Sequence, residues 1–330
     1  MIRIRPIVTL FAVALVMGAL VADAPAQAPP KPLGKMTVGI SVAKTFTFLP
    51  AYAALDLGTW KKRGLEAEVI PFGGDAKLQQ AFAAGSVDVA LGGVAGSFVA
   101  IAKGQETRLV GALANTVKLM GLIVHPDIKT KEDLRGKVVG STSPNSVTDI
   151  LVRYLSKKLT GDADKGIRRA HLGGFQNQVA ALKTGQTQAF VWTLDGIFEA
   201  EQQGVGKFLL SFGDELPDFA FEAVIATRKA IDERPEAVRA FLDGLYEALV
   251  HMKGNRAYTV DLFEKKMEVP ASVGARVFDL DAHTLVEDGV FSDRALQNAA
   301  EAIVETGAVK EIPPLDRWVD KRFLPVRVKR

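Results

Sequence analysis

The chain of 330 residues contains no cysteine. That absence excludes disulfides, thiolate metal sites, a cysteine nucleophile and the modified N-terminal cysteine of lipid-anchored exported proteins. Histidine is scarce as well. His125, His171, His251 and His283 lie far apart, and none has the HExxH spacing of a zinc site. Each reads as a surface or turn residue. The glycine-rich "GGVAGS" (92–97) is neither GxGxxG nor followed by GK[ST]. It lacks the GxSxG elbow too, so Ser97 has no case as a nucleophile and the segment reads first as a tight strand-to-helix turn. There is no block of like charge and no low-complexity tract. A formal charge of only +3, with both signs scattered, excludes the concentrated basic face of a nucleic-acid protein. Nothing here is built to break a bond, and the reading is of a non-enzyme without cofactor or metal.

Long apolar runs are also missing, save one. Arg3 and Arg5 precede a fifteen-residue apolar stretch from Ile7 to Val21, and the small residues "ADAPAQA" follow. This is the order of a secretory signal peptide, while a membrane span needs about 20 apolar residues. We expect residues 1–26 to be removed after Ala26, leaving a soluble periplasmic protein that depends on core packing, which its length allows.

What is present is alternation. "MTVGISV" (36–42) reads as a buried strand. "FLPAYAALDLGTWKKRG" follows as a helix, with Pro50 in its first turn, an apolar face of Ala51, Ala54, Leu55 and Trp60, and Gly64 after its end. "LEAEVIPF" (65–72) is a second strand and "DAKLQQAFAAG" (75–85) a short helix capped by Asp75. "VDVALGG" (87–93) is a third strand. Strands alternating with helices imply an α/β fold with a mainly parallel, doubly wound sheet.

The pattern repeats at an offset of one hundred residues. "KLQQAFAAGSVDVALGGVAGSF" (77–98) lies over "NQVAALKTGQTQAFVWTLDGIF" (177–198), with Gly85 on Gly185, Gly96 on Gly196 and Phe98 on Phe198. Two similar lobes follow. "LMGLIVHPD" (119–127) leaves the first and "DFAFEAVIAT" (218–227) returns, so two crossing strands form a hinge. The expected boundaries are 36–122 and 224–330 for lobe 1, with C-terminal helices, and 123–223 for lobe 2.

Ligands of doubly wound sheets sit beyond the carboxyl ends of the strands. Three loops lie there: "SVAKTFTFLP" (41–50), "GGVAGS" (92–97) and "GSTSPNS" (140–146). Each leads into a helix N-terminus, whose free N–H groups and partial positive charge favour an anion. Either Ser143, Asn145 or Ser146 caps the following helix, or these residues and Ser141 and Thr142 contact a ligand; capping accounts for one of them. Phe46 and Phe48 are either core or cleft wall, and Trp192 either packs beneath a helix or faces the cleft. Lys44 is placed to pair with an anion. Glu222, in the apolar run "FAFEAVIA", is placed to hold an amine or ring N–H, since a buried carboxylate needs a partner.

With these residues in view, the chain resembles periplasmic substrate-binding proteins of ABC importers, in the nitrate/sulfonate/taurine branch related to thiamine-pyrimidine-synthase-like proteins. "GTWKKRGLEAEVIPFGG", "LQQAFAAGSVDVALGG", "EDLRGKVVGSTSPNS" and "RPEAVRAFLDGLYEAL" carry the likeness, in order and spacing. The resemblance implies a two-lobed Venus-flytrap fold of type II, closing on one small solute and handing it to a membrane permease as a monomer. It implies a cleft lined by Lys44, Thr45, Phe46 and Phe48, by Gly93 and Ser97, by Ser141, Thr142, Ser143, Asn145 and Ser146, and by Trp192 and Glu222. The solute it implies is a small organic anion or zwitterion, or alternatively a pyrimidine or thiamine precursor or an aromatic compound. Pyrimidine-synthesising relatives carry a cysteine-rich motif, which this chain lacks, and a desulfinase-type enzyme would need a base that the sequence does not place.

Overall fold

The computed structural model describes residues 30–328. The expected signal peptide, residues 1–26, lies outside them.

The first half runs β1 (Gly34–Ile40), α1 (Leu49–Asp56), β2 (Leu65–Pro71), α2 (Asp75–Ala83), β3 (Val89–Gly93), α3 (Val94–Ala102) and β4 (Thr107–Ala114). The second runs β5 (Met120–Val124), β6 (Val138–Ser141), α4 (Val147–Thr160), β7 (Arg168–His171), α5 (Phe175–Lys183), β8 (Ala189–Thr193), α6 (Leu194–Gln202), β9 (Lys207–Ser211) and α7 (Phe212–Glu215). Then come β10 (Glu222–Thr227) and the helices α8 (Arg228–Glu233), α9 (Pro235–Gly254), α10 (Arg256–Met267), α11 (Ala271–Asp281) and α12 (Asp293–Glu305).

Two five-stranded sheets result, ordered β2-β1-β3-β10-β4 and β7-β6-β8-β5-β9. In each, one strand runs antiparallel to its neighbours: β10 in the first and β5 in the second. The chain crosses between lobes twice, through 115–119 and 212–221. The boundaries expected at 122 and 223 therefore fall inside β5 and β10. Ladder hydrogen bonds commit each whole strand to one sheet, so the crossings lie in the segments before them.

Strands buried on both faces explain the apolar runs. In β3, Val89 and Leu91 join one apolar cluster and Ala90 the other. Each cluster takes side chains from both sheets, so the lobes are packed together.

The hundred-residue offset is realised in three dimensions. α2 and α5, β3 and β8, and α3 and α6 occupy equivalent places. Gly85 and Gly185 both end their helices in the left-handed region, at φ +68° and +71°. The first amide of α3 donates to the Phe221 carbonyl at 2.9 Å, and that of α6 to the Leu119 carbonyl at 2.8 Å. One expected element is shorter than read. The helix over 48–64 ends at Asp56, because Gly58 turns to φ +64°, and a short 3-10 turn then reaches Gly64. Leu55, read as part of its apolar face, is 43 % exposed.

Candidate functional site

Between the lobes lies a small cavity with about 40 Å³ of water-sized space. That is room for about three waters. Ser41, Val42, Thr45, Asp75, Phe221 and Glu222 line it from the first lobe and its crossing segment. Met120, Thr142, Val147, Thr148, Trp192 and Thr193 line it from the second.

The lining carries two carboxyls and no basic side chain. Glu222 begins β10 opposite Gly93 and is buried. Burial pushes its carboxyl well above the usual range, and the nearby Asp75 adds to this. Its Oε2 has no hydrogen-bond partner within the protein. The Thr45 hydroxyl and the Trp192 indole N–H are likewise buried and unpartnered. Trp192 tilts against Phe175 at 5.6 Å between ring centres, and it fits because Gly196 has no Cβ to meet the indole.

Asp75 was expected to cap α2. Instead Gly74 precedes the helix and the Asp75 side chain turns inward. It accepts from the Gly93 N–H at 3.2 Å. Desolvation raises its pKa, and the Gly93 N–H opposes the rise.

The remaining expected site residues separate into groups. Lys44 does not face the cavity: its Nζ donates to the Glu268 carbonyl at 3.2 Å, with the Glu268 carboxylate at 3.8 Å. Phe46 and Phe48 sit in a 3-10 turn that directs both into the core, where Phe46 packs on Phe263 at 5.6 Å. Gly93 lies beside the Asp75 carboxyl, and Ser97 donates to the Gly93 carbonyl at 2.9 Å.

The hydroxyl row mostly satisfies itself. Ser146 caps α4, accepting from Asp149 N at 3.3 Å. Thr142, Ser146 and Thr148 form a triangle of hydroxyls at 2.9–3.0 Å. Ser143 accepts from Ala76 N at 3.3 Å, across the cleft. Asn145, at φ +61°, borders a separate groove on the outer side of α2 and α3. Ser141 Oγ lies 2.8 Å from His171 Nδ1 on the neighbouring strand. Asp149 approaches that same nitrogen at 3.8 Å, so the three cannot act as a relay, which needs the carboxylate on the opposite ring nitrogen.

Thus the structure brings Thr45, Thr142, Trp192 and Glu222 to one cavity, and sequence reasoning missed Ser41, Asp75, Met120, Thr148, Thr193 and Phe221. The available signal was the match of "GGD" (73–75) to "GGF" (173–175), which sets a charged residue where its counterpart is a ring.

A second acidic group lies where α6 meets the first lobe. Burial pushes the Asp195 carboxyl up to about 7. Asp281 is pushed up to about 8 by burial, with Asp195 adding to it. Among the described residues no group of His, Asp and Glu could hold a metal ion, and no helix is long and apolar enough to cross a membrane.

The profile of the NMT1/THI5-like family matches residues 45–255, and the chain belongs to that family. YtlA of Bacillus subtilis (strain 168), named as a candidate binding protein, is 24 % identical over 215 residues, which cover 63 % of this chain and 63 % of YtlA. The match thus spans under two thirds of that relative. Among solved structures, the alkanesulfonate-binding protein SsuA from Xanthomonas axonopodis pv. citri, bound to MOPS, has a TM-score of 0.71 at 18 % identity, covering 88 % of this chain and 96 % of SsuA. The periplasmic nitrate-binding protein NrtA from Synechocystis PCC 6803 has a TM-score of 0.65 at 19 % identity, covering 74 % of this chain and 70 % of NrtA. These likenesses establish the periplasmic-binding-protein fold.

Proposed function

We propose that this member of the NMT1/THI5-like family is a solute receptor of an ABC importer. It works in the periplasm as a monomer without catalysis, closing two lobes over a small solute and presenting it to a membrane permease. The solute carries hydrogen-bond donors: an amine, as in a zwitterion, or the N–H edge of a heterocycle such as a pyrimidine. One observation carries this choice. Glu222 is buried in the interlobe cavity with Oε2 unpartnered, and no basic side chain lines that cavity. A buried carboxyl seeks a donor, and a donor-bearing guest supplies it.

The expected anion fits this cavity poorly. Lys44 is engaged by Glu268. The burial that raises the Glu222 pKa also penalises a bound anion that brings no cation with it. Closure is a population shift, because only the closed form contacts the guest from both lobes.

Thermal-shift panels test the reading. A ligand at about 100 times its Kd adds about 2.7 kcal/mol of stability. Amines and aminopyrimidines are expected to raise the melting temperature, while alkanesulfonates and nitrate leave it unchanged. A rise with the anions alone overturns the proposal.

A further inference from the structure

We infer that Arg276 is a clasp between the lobes: carried by α11 on the first lobe, it lies over the ring of Phe198 in α6 of the second and holds the cleft shut. The inference rests on reading the lobes as closing over a solute, and it names the residue that sets their closed population before any solute binds.

The two helices belong to different lobes. A Cβ on Gly274 would stand 3.5 Å from the Phe263 ring and 3.7 Å from the Val260 side chain, so α11 lies close on α10. Phe263 packs in turn on Phe46, and the Tyr258 hydroxyl of α10 donates to the Asp56 carboxylate at the end of α1 at 3.0 Å. These contacts tie α11 to the first lobe. α6 packs on β5, β8 and β9 of the second. Arg276 spans the junction. Its guanidinium carbon lies 3.5 Å from the centre of the Phe198 ring, and its Nη1 lies 3.7 Å from Glu201 Oε2. Glu201 is held in place, since its Oε1 accepts from the Phe208 N–H at 2.8 Å.

The internal repeat supplies a control. Phe98 is the counterpart of Phe198, and it meets Trp318 edge-on at 4.7 Å between ring centres. The Trp318 carbonyl accepts from Leu109 N–H of β4, so that cover belongs to the first lobe itself. Phe198 instead takes a cation from the other lobe. Phe198 is 4 % exposed, while the Arg276 side chain is 56 % exposed. A guanidinium goes back to water easily when a contact parts, and an indole does not. A cover that must lift is therefore better charged. The ring face carries most of the attraction, because so exposed an ion pair contributes little.

The test exploits the absence of cysteine, since two can be introduced as label sites without competition. Lys77 on α2 and Gln176 on α5 are exposed. They flank a place where the lobes meet, for a Cβ on Gly173 would come within 3.3 Å of the Gly73 carbonyl oxygen. Spin labels on Lys77→Cys and Gln176→Cys report the distance between lobes with no solute present. Arg276→Ala is expected to raise the open-to-closed ratio about tenfold, seen as a longer label distance. Phe198→Leu keeps an apolar side chain but removes the ring face, and it is expected to open the lobes likewise. It decides the matter if Arg276→Ala does not fold. Glu201→Gln is expected to change the ratio by about threefold or less. An unchanged distance in Arg276→Ala overturns the inference. So does an opening that Phe198→Leu does not reproduce, or one that Glu201→Gln matches in full. If Arg276→Ala opens the lobes while neither it nor the wild type takes any amine or pyrimidine, the solute reading falls and the clasp stands.

Discussion

The two lobes share one backbone plan and fill its central position with opposite chemistry. At the repeat offset, Asp75 corresponds to Phe175, Gly92 to Trp192 and Gly93 to Thr193. The antiparallel strand adds another pair: Glu222 lies opposite Gly93, and Met120 lies opposite Thr193. One wall of the cleft is thus acidic and made roomy by glycine. The other is aromatic and thioether, with three threonines. A guest held between them has one face for hydrogen bonding and one for apolar contact. The fold supplies the frame twice, and function lives in where the copies differ.

The comparison can be broken most forcefully on the aromatic side. Trp192 is buried against Phe175, so Trp192→Ala is expected to cost about 3–5 kcal/mol, read as a fall in denaturation midpoint. A loss below about 1 kcal/mol would mean the ring is held for a ligand and not for the lobe.

Next comes a charge that only one lobe carries. Asp195 stands where the first lobe has Ala95. Burial lifts Asp195 to about 7 in the folded state, against an ordinary 3.8. Between those values the folded chain holds a proton that the unfolded chain has released. Its contribution is therefore full at low pH and is lost as pH climbs through about 7, and Asp281 carries the same loss on to about 8. Stability is expected to fall over this window by up to about 1.4 kcal/mol per pH unit for each such group. Asp195→Asn is expected to flatten the curve, as urea titrations across pH would show.

Gly93→Ala is expected to cost about 1–3 kcal/mol through overpacking against Asp75 and Val147. Ala at 193 has no such neighbour to displace, so Thr193→Ala is expected to cost less. The smallest effect sharpens the likeness instead. Gly85 and Gly185 have left-handed backbones and open space around them, so each Gly→Ala change is expected to cost about 1–2 kcal/mol, equally in the two lobes. Unequal costs would mean the helix ends are not equivalent.

Periodicity and turn chemistry made the frame legible. Gly85 and Gly185 stop equivalent helices, and hydrophobic runs mark strands buried on both faces. The site was legible only where a residue's surroundings are local. Glu222 stood out because its own strand is apolar. Asp75 did not, since an acid before a helix has an ordinary use as a cap; its partner Gly93 comes from topology. Lys44 was misplaced for the same reason, because Glu268, which holds it, lies far along the chain. Phe46 and Phe48 were read at loop spacing, and the 3-10 turn that buries both has no strong local signature.

The most direct measurement compares Glu222→Gln and Lys44→Ala side by side, by calorimetric titration of the amine or pyrimidine that most stabilises the wild type. The account predicts that Glu222→Gln loses binding and that Lys44→Ala keeps it. Binding lost in Lys44→Ala and kept in Glu222→Gln would contradict it.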